Sequence, residues 1–132
     1  MTDRKLIELA NDVMNNSYTP YSRHRAGAAL ECTNGKVFIG CSIENSAIGA
    51  TICAEVAAVA AAISAGQKEF KRIAIISDGI GYCLPCGNCR QVLHEFSSEM
   101  EILSARSDGR YVSYPLSSLL PMPYENEQKS QQ

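Results

Sequence analysis

The order of helical and strand-like patterns along this 132-residue chain predicts an α/β protein, a three-layer α/β/α sandwich around one mixed five-stranded sheet. Three observations carry that expectation. An amphipathic helical pattern opens the chain, two further helical stretches separate strand-like runs, and five apolar or β-branched runs are bounded by Gly-, Asn- and Asp-containing breaks. Strand–helix–strand units imply partly parallel pairing with right-handed crossovers.

Leu6, Ile7, Leu9, Ala10, Val13 and Met14 recur at helical spacing, so residues 3–15 read as a helix. Residues 17–22, with Pro20, read as a loop. Strands are expected over 25–32 and 36–41, flanking Thr33-Asn34-Gly35, since Asn-Gly between apolar runs marks a hairpin. Residues 42–50 read as a loop carrying Glu44 and Asn45. The Ala-rich stretch 53–65 reads as a helix closed by Gly66. A β-branched strand is expected over 72–77, ended by Asp78-Gly79-Ile80-Gly81. Pro85 then leads into a helix opening at Cys86. Strands over 101–105 and 111–114 flank Ser107-Asp108-Gly109, and 116–120 form a short helix before Pro121. Residues 1–124 read as one domain, and 125–132 as a polar, mobile tail.

Composition narrows the function. Hydrophobic residues are 45% and charged residues 20%, as in an ordinary globular protein. The net charge is -2 with no Lys/Arg cluster, which argues against a nucleic-acid groove built on phosphate neutralisation. No apolar run approaches the roughly 20 residues of a membrane span. The charged start Met1-Thr2-Asp3-Arg4-Lys5 lacks the apolar core of a signal peptide, so a cytoplasmic location is expected. In that compartment the six cysteines are thiols, with metal binding or catalysis the first explanation for them. Cys32 and Cys41 lie in strand-like runs and read as small buried hydrophobes, while Cys83 has no single reading.

The chemistry lies at two helix starts, Cys53-Ala54-Glu55 and Pro85-Cys86-Gly87-Asn88-Cys89. Cys86 and Cys89, three apart, share one helix face and suit a tetrahedral zinc ion, with Cys53 as third ligand. Helix N-termini favour thiolates there. Three protein ligands leave a fourth position for water, whose pKa zinc lowers towards neutrality. Glu55 stands beside a ligand, free to move protons; its alternative reading is a first-turn carboxylate favoured by the helix dipole. A lone CxxC also fits a redox pair or half of a structural site, with Cys83 as a fourth thiol.

Cys-Ala-Glu followed by Pro-Cys-x-x-Cys resembles the zinc deaminase signature with Cys as first ligand, and the chain is similar to the small homotetrameric cytidine deaminases. The likeness runs from about Tyr18 to Pro121 and includes Tyr18-Thr19-Pro20-Tyr21-Ser22, Gly27-Ala28-Ala29-Leu30, Gly40-Cys41-Ser42-Ile43-Glu44-Asn45 and Cys89-Arg90-Gln91-Val92. The resemblance implies one Zn²⁺ per chain on Cys53, Cys86 and Cys89, with Glu55 as proton shuttle. It implies that Glu44 binds a ribose hydroxyl, the Ala54 N–H meets the ring carbonyl, and the Pro85 carbonyl faces the departing amine. It also implies a cytosine nucleoside as substrate, a homotetramer with shared active sites into which Tyr124 reaches, and a part in pyrimidine salvage.

The sequence departs from that family at the pocket. Ser42 stands for Asn, His24 for Phe, Ile48 for Tyr, and Val56 for an Arg that hydrogen-bonds the zinc thiolates. Arg90 is then either a replacement cation or an exposed helix residue. His94, off the ligand face, reads as a surface or partly buried helix histidine, and His24 and Tyr124 each have a plain reading as loop and tail residues. Val56 and the Ala-rich run after it resemble blasticidin S deaminases. Cytidine or deoxycytidine is the expected substrate. A cytosine nucleoside substituted on the amino nitrogen or ring, or of the blasticidin S type, is the alternative. A non-catalytic zinc module, or a relative that keeps the fold without activity, are the remaining readings.

Overall fold

A computed structural model describes residues 1–128 and contains the expected layers. Thr2 caps α1 (Asp3–Met14), its hydroxyl accepting the Lys5 N–H at 3.1 Å. Leu6, Ile7, Ala10, Val13 and Met14 then form one buried stripe. Strand β1 (Ala26–Cys32) returns as β2 (Val37–Cys41), and Gly35, at φ +89°, takes the left-handed position that closes the turn. Helix α2 (Ala54–Ser64) crosses to β3 (Phe70–Ser77). Beyond it lie α3 (Gly87–His94), β4 (Glu101–Ala105), β5 (Tyr111–Pro115) and α4 (Leu116–Leu119).

The sheet order is β2-β1-β3-β4-β5; β3 and β4 run parallel and the other neighbours antiparallel. Side-chain alternation divides the core between the two faces. Ala28, Leu30, Ile73, Ile75 and Ile102 pack with α2, α3 and α4. Ala29, Ala74, Ile76 and Leu103 pack under α1. Each helix layer thus has its own apolar face of the same strands.

Two glycines set how closely the layers approach. A Cβ on Gly27 would stand 2.0 Å from the Ala10 carbonyl oxygen, so α1 lies directly on β1. A Cβ on Gly40 would stand 2.4 Å from the Ala58 nitrogen and 2.6 Å from the Ala54 carbonyl oxygen, so α2 lies directly on β2.

Three details differ from expectation. Strand β3 starts at Phe70, ahead of position 72, because Phe70 pairs with Cys32 beyond an irregularity between Glu31 and Cys32. Arg72 in the middle of that strand is buried; its Nε donates to Glu31 Oε1 at 2.6 Å and its other nitrogens to Asp3 and the Met1 carbonyl. The stretch 42–50 contains a 3-10 turn, Ile48–Ala50, and Ile43 bridges to both Tyr18 and Ile52. Apart from these, Gln91 exchanges two hydrogen bonds with the Tyr124 backbone, at 3.0 and 3.2 Å, and His94 Nε2 lies 2.7 Å from Glu125 Oε1. The remainder of the expected tail, 129–132, lies outside the described residues.

Candidate active site

The start of α2 and the start of α3 meet on one side of the sheet. Cys53 is the N-cap of α2, Cys86 the N-cap of α3, and Cys89 sits within α3's first turn. The Sγ atoms of Cys53 and Cys86 are 3.8 Å apart, those of Cys86 and Cys89 3.3 Å, and all three lie within 4.8 Å of one another. Tetrahedral zinc with Zn–S bonds of about 2.3 Å separates its sulfurs by about 3.8 Å, so the three thiols fit such an ion. Their electrostatics point the same way. Hydrogen bonding from Cys89 brings the Cys53 thiol down to about 6, against the effect of burial. The Cys89 thiol is raised in return, by that same bond and by burial. One thiolate is tolerated at the neighbour's expense; three together need a cation.

Glu55 is two residues past Cys53 and 6% exposed. Burial pushes its carboxyl up to about 7, and the nearby Cys53 adds to this. A carboxyl of that acidity, held beside a three-thiol cluster, is suited to taking and returning protons near neutral pH. Ala54, 1% exposed, is the first residue of α2, so its N–H is one of the helix's orphan donors.

These groups open into a cleft of about 280 Å³, also lined by Ser22, His24, Ser42, Glu44, Thr51 and Leu84. Glu44 Oε1 accepts the Tyr21 and Ser22 N–H groups at 2.9 and 3.1 Å. Hydrogen bonds from Ser22, its side chain foremost, hold the Glu44 carboxyl below its ordinary range. Ser42 Oγ accepts the Ala26 N–H at 3.1 Å and keeps its own proton to donate. Pro85 is fully buried, and its carbonyl accepts Arg90 Nε at 2.8 Å.

The structure therefore brings Cys53, Cys86, Glu55, Ala54, Ser42, Glu44 and His24 to one cleft, with Cys89 buried behind Cys53 and Cys86, while the side chain of Pro85 is buried and does not line it. It does not bring Tyr124 or Ile48 there: Tyr124 is 75% and Ile48 85% exposed, and neither lines the cleft of its own chain. Arg90 matches neither sequence reading. Half-buried, it spans from the Pro85 carbonyl to the Leu119 carbonyl, each at 2.8 Å. Cys83 lines the same cleft but stands outside the three-thiol group. It packs against the core near Ser77 and Glu55, and burial raises its thiol to about 11. That position removes the basis for a closed four-cysteine site. Cys32 is buried and Cys41 half-buried on their strands.

Sequence reasoning missed Asp78. Its carboxylate accepts Arg25 N–H and Arg25 Nε, both at 3.1 Å, and lies 3.2 Å from His24 Nδ1. Asp78-Gly79 carried only a turn signal, and nothing in local spacing ties it to residues more than fifty positions upstream.

Comparison with known proteins agrees with this geometry. Residues 1–104 match the family described as the cytidine and deoxycytidylate deaminase zinc-binding region. A cytidine deaminase of Sporosarcina psychrophila is 37% identical over 131 residues, covering 98% of this chain and 96% of that one. A blasticidin-S deaminase of Bacillus cereus is 28% identical over 130 residues, covering 92% and 91%. Among solved structures, a cytidine deaminase from Burkholderia pseudomallei superimposes with a TM-score of 0.91 at 38% identity, covering 94% of this chain and all of that one.

Proposed function

The chain belongs to the cytidine deaminase family, and from that premise we propose that it hydrolyses the exocyclic amino group of cytidine and deoxycytidine, releasing ammonia and the uracil nucleoside. The observation that carries the reading is the buried Glu55 carboxyl beside three convergent cysteine sulfurs at the floor of a nucleoside-sized cleft.

Cys53, Cys86 and Cys89 would hold a zinc ion, which would make a water molecule nucleophilic near neutral pH. The chain's own residues do the rest. Glu55 takes a proton from the attacking water and delivers it to ring nitrogen 3; it then takes the second proton from the new C4 hydroxyl and gives it to the amine, which leaves as ammonia as the C4–N bond breaks and the carbonyl forms. The free Ala54 N–H holds the ring carbonyl. The Pro85 carbonyl, with one lone pair taken by Arg90, uses its other for the amine. At the far end of the cleft, the Glu44 oxygen not bound by Tyr21 and Ser22 accepts a sugar hydroxyl, and the Ser42 hydroxyl donates.

A homotetramer with shared active sites is part of the same proposal. Helix α2 is apolar on nearly all sides, yet Ala60 and Ile63 face outward, as a helix awaiting a second layer would. The clamp on the Tyr124 backbone leaves its ring exposed and able to reach the cleft of a neighbouring subunit. Among the described residues no helix is long and apolar enough to cross a membrane. A cytoplasmic place in pyrimidine salvage fits the substrate.

The test is ammonia release, with loss of the cytosine absorbance, across cytidine, deoxycytidine, amino-substituted cytidines and blasticidin S, with Glu55→Ala as control. Turnover of cytidine or deoxycytidine that vanishes in Glu55→Ala is the expected result. Preference for a substituted cytosine would move the assignment to the blasticidin S side of the family. No turnover at one zinc per chain would overturn it in favour of a non-catalytic module.

A further inference from the structure

The mouth of the cleft carries a second, smaller arrangement. Arg23, immediately before His24, has φ +60°, a left-handed conformation uncommon for a non-glycine residue. The His24 N–H is then tied back to Ser22 Oγ at 3.0 Å. The imidazole, 58% exposed, is drawn towards a carboxylate, with Nδ1 3.2 Å from Asp78 Oδ1. Asp78 is itself immobilised: it accepts from the Arg25 N–H and guanidinium, and its own N–H donates to the Arg25 carbonyl at 3.1 Å. Burial opposes its ionisation, but these bonds together with His24 hold its carboxyl below the ordinary range. The backbone of Gly79 packs against the ring; a Cβ there would lie 3.2 Å from His24 Cε1.

The Asp78 carboxylate, the charge nearest to Nδ1, favours the form of the ring with its proton on that nitrogen. That leaves Nε2 without a protein partner among the described residues, on a ring that lines the cleft beside Ser42 and Glu44. A neutral imidazole presents Nε2 as an acceptor, a protonated one as a donor. A hydroxyl satisfies both forms, because it donates and accepts. The ionised Glu44 nearby disfavours an anionic group at the same place.

We propose that His24, oriented by Asp78, is a specificity-determining residue that hydrogen-bonds a hydroxyl on the sugar of the cytosine nucleoside. The inference rests on the deaminase reading above and adds one substrate contact to it. Asp78 is a positioning residue that acts through His24.

The experiment is steady-state kinetics of the zinc-loaded protein, comparing wild type, His24→Phe, Asp78→Ala and the double variant. The substrates are cytidine and its 2′-, 3′- and 5′-deoxy analogues. His24→Phe is expected to raise KM for cytidine about tenfold, the size of one hydrogen bond, with kcat little changed. One deoxy analogue should show the same KM in wild type and His24→Phe, identifying the hydroxyl. Asp78→Ala should raise KM in the wild-type background and not on top of His24→Phe. His24→Gln, which keeps hydrogen-bonding capacity, should recover part of the loss. An unchanged KM in His24→Phe, or an equal loss across all four substrates, would overturn the proposal. A wild type that turned over none of the nucleosides would instead overturn the deaminase reading beneath it.

Discussion

Replacing Gly40 by alanine tests whether the layer contact between α2 and β2 sets the metal site. The added Cβ would stand 2.4 Å from the Ala58 nitrogen, 2.6 Å from the Ala54 carbonyl oxygen and 2.8 Å from the Ala57 Cβ. Two of those atoms are helix backbone, so no side chain can turn aside. Ordinary van der Waals contact begins near 3.4 Å, so the first turns of α2 must move out by about 1 Å. Cys53 and Glu55 ride on that turn, whereas Cys86 and Cys89 ride on α3 and have no cause to follow. Zinc tolerates departures of only about 0.2 Å in its ligand distances. Overpacking of a core costs about 1–3 kcal/mol, and a misplacement of about 1 Å at a reacting group costs about 100-fold in rate. The expected outcome is a lower Tm, loss of zinc to a competing chelator at concentrations the wild type withstands, and a fall in kcat of about 100-fold. Gly49→Ala is the control, since a Cβ there meets nothing within 4 Å. Wild-type zinc retention and Tm in Gly40→Ala would refute the reasoning.

Three further outcomes are expected. Glu55→Gln keeps the shape of the site but cannot carry a proton, so kcat should fall by about 10³-fold or more while metal analysis still finds one zinc per chain; activity within tenfold of wild type would remove Glu55 from the chemistry. Zinc added to metal-free protein at neutral pH should release protons, because Cys89 holds its proton well above its ordinary range whereas Cys53 has already shed much of its own. Affinity should therefore weaken as pH falls, and a titration that released none would contradict thiolate ligation. Arg72→Met strands the Glu31 carboxylate, 4% exposed, without its cation, and should destabilise the fold by about 3–5 kcal/mol in denaturant unfolding. The pair replacement Arg72→Met with Glu31→Gln should be milder, because the carboxylate then left without its cation, Asp3, is 34% exposed and reaches water.

What the sequence revealed and what it hid follow from the range of the interactions involved. Both hairpins were legible because a glycine must take the left-handed position in each turn, and Gly35 and Gly109 stand where the chain reverses. The metal ligands were legible because helix geometry puts Cys86 and Cys89 on one face and the Cys-Ala-Glu triplet is a fixed pattern. Gly27 and Gly40 carried no such signal. Each looks like an ordinary strand residue, and only the opposing helix backbone shows why no side chain fits. His94 was read from helix spacing, and Arg90 and Gln91 from their immediate sequence surroundings, though their partners lie at Pro85, Leu119, Tyr124 and Glu125. The start of β3 was placed two residues late, at Arg72, because the pairing of Phe70 with Cys32 lies beyond an irregularity in β1 that local sequence does not show.

The division of the metal ligands between two helices has a mechanical result. Cys53 and Cys86 are 33 positions apart, and the whole of β3 lies between them. A metal ion that bridges them closes that length of chain into a loop, as a disulfide would. By the chain-entropy estimate for a crosslink of this span, such a closure is worth about 4 kcal/mol against the unfolded state. The ion that serves the reaction is in this sense also a staple, pinning the start of α2 to the start of α3 across the strand that separates them.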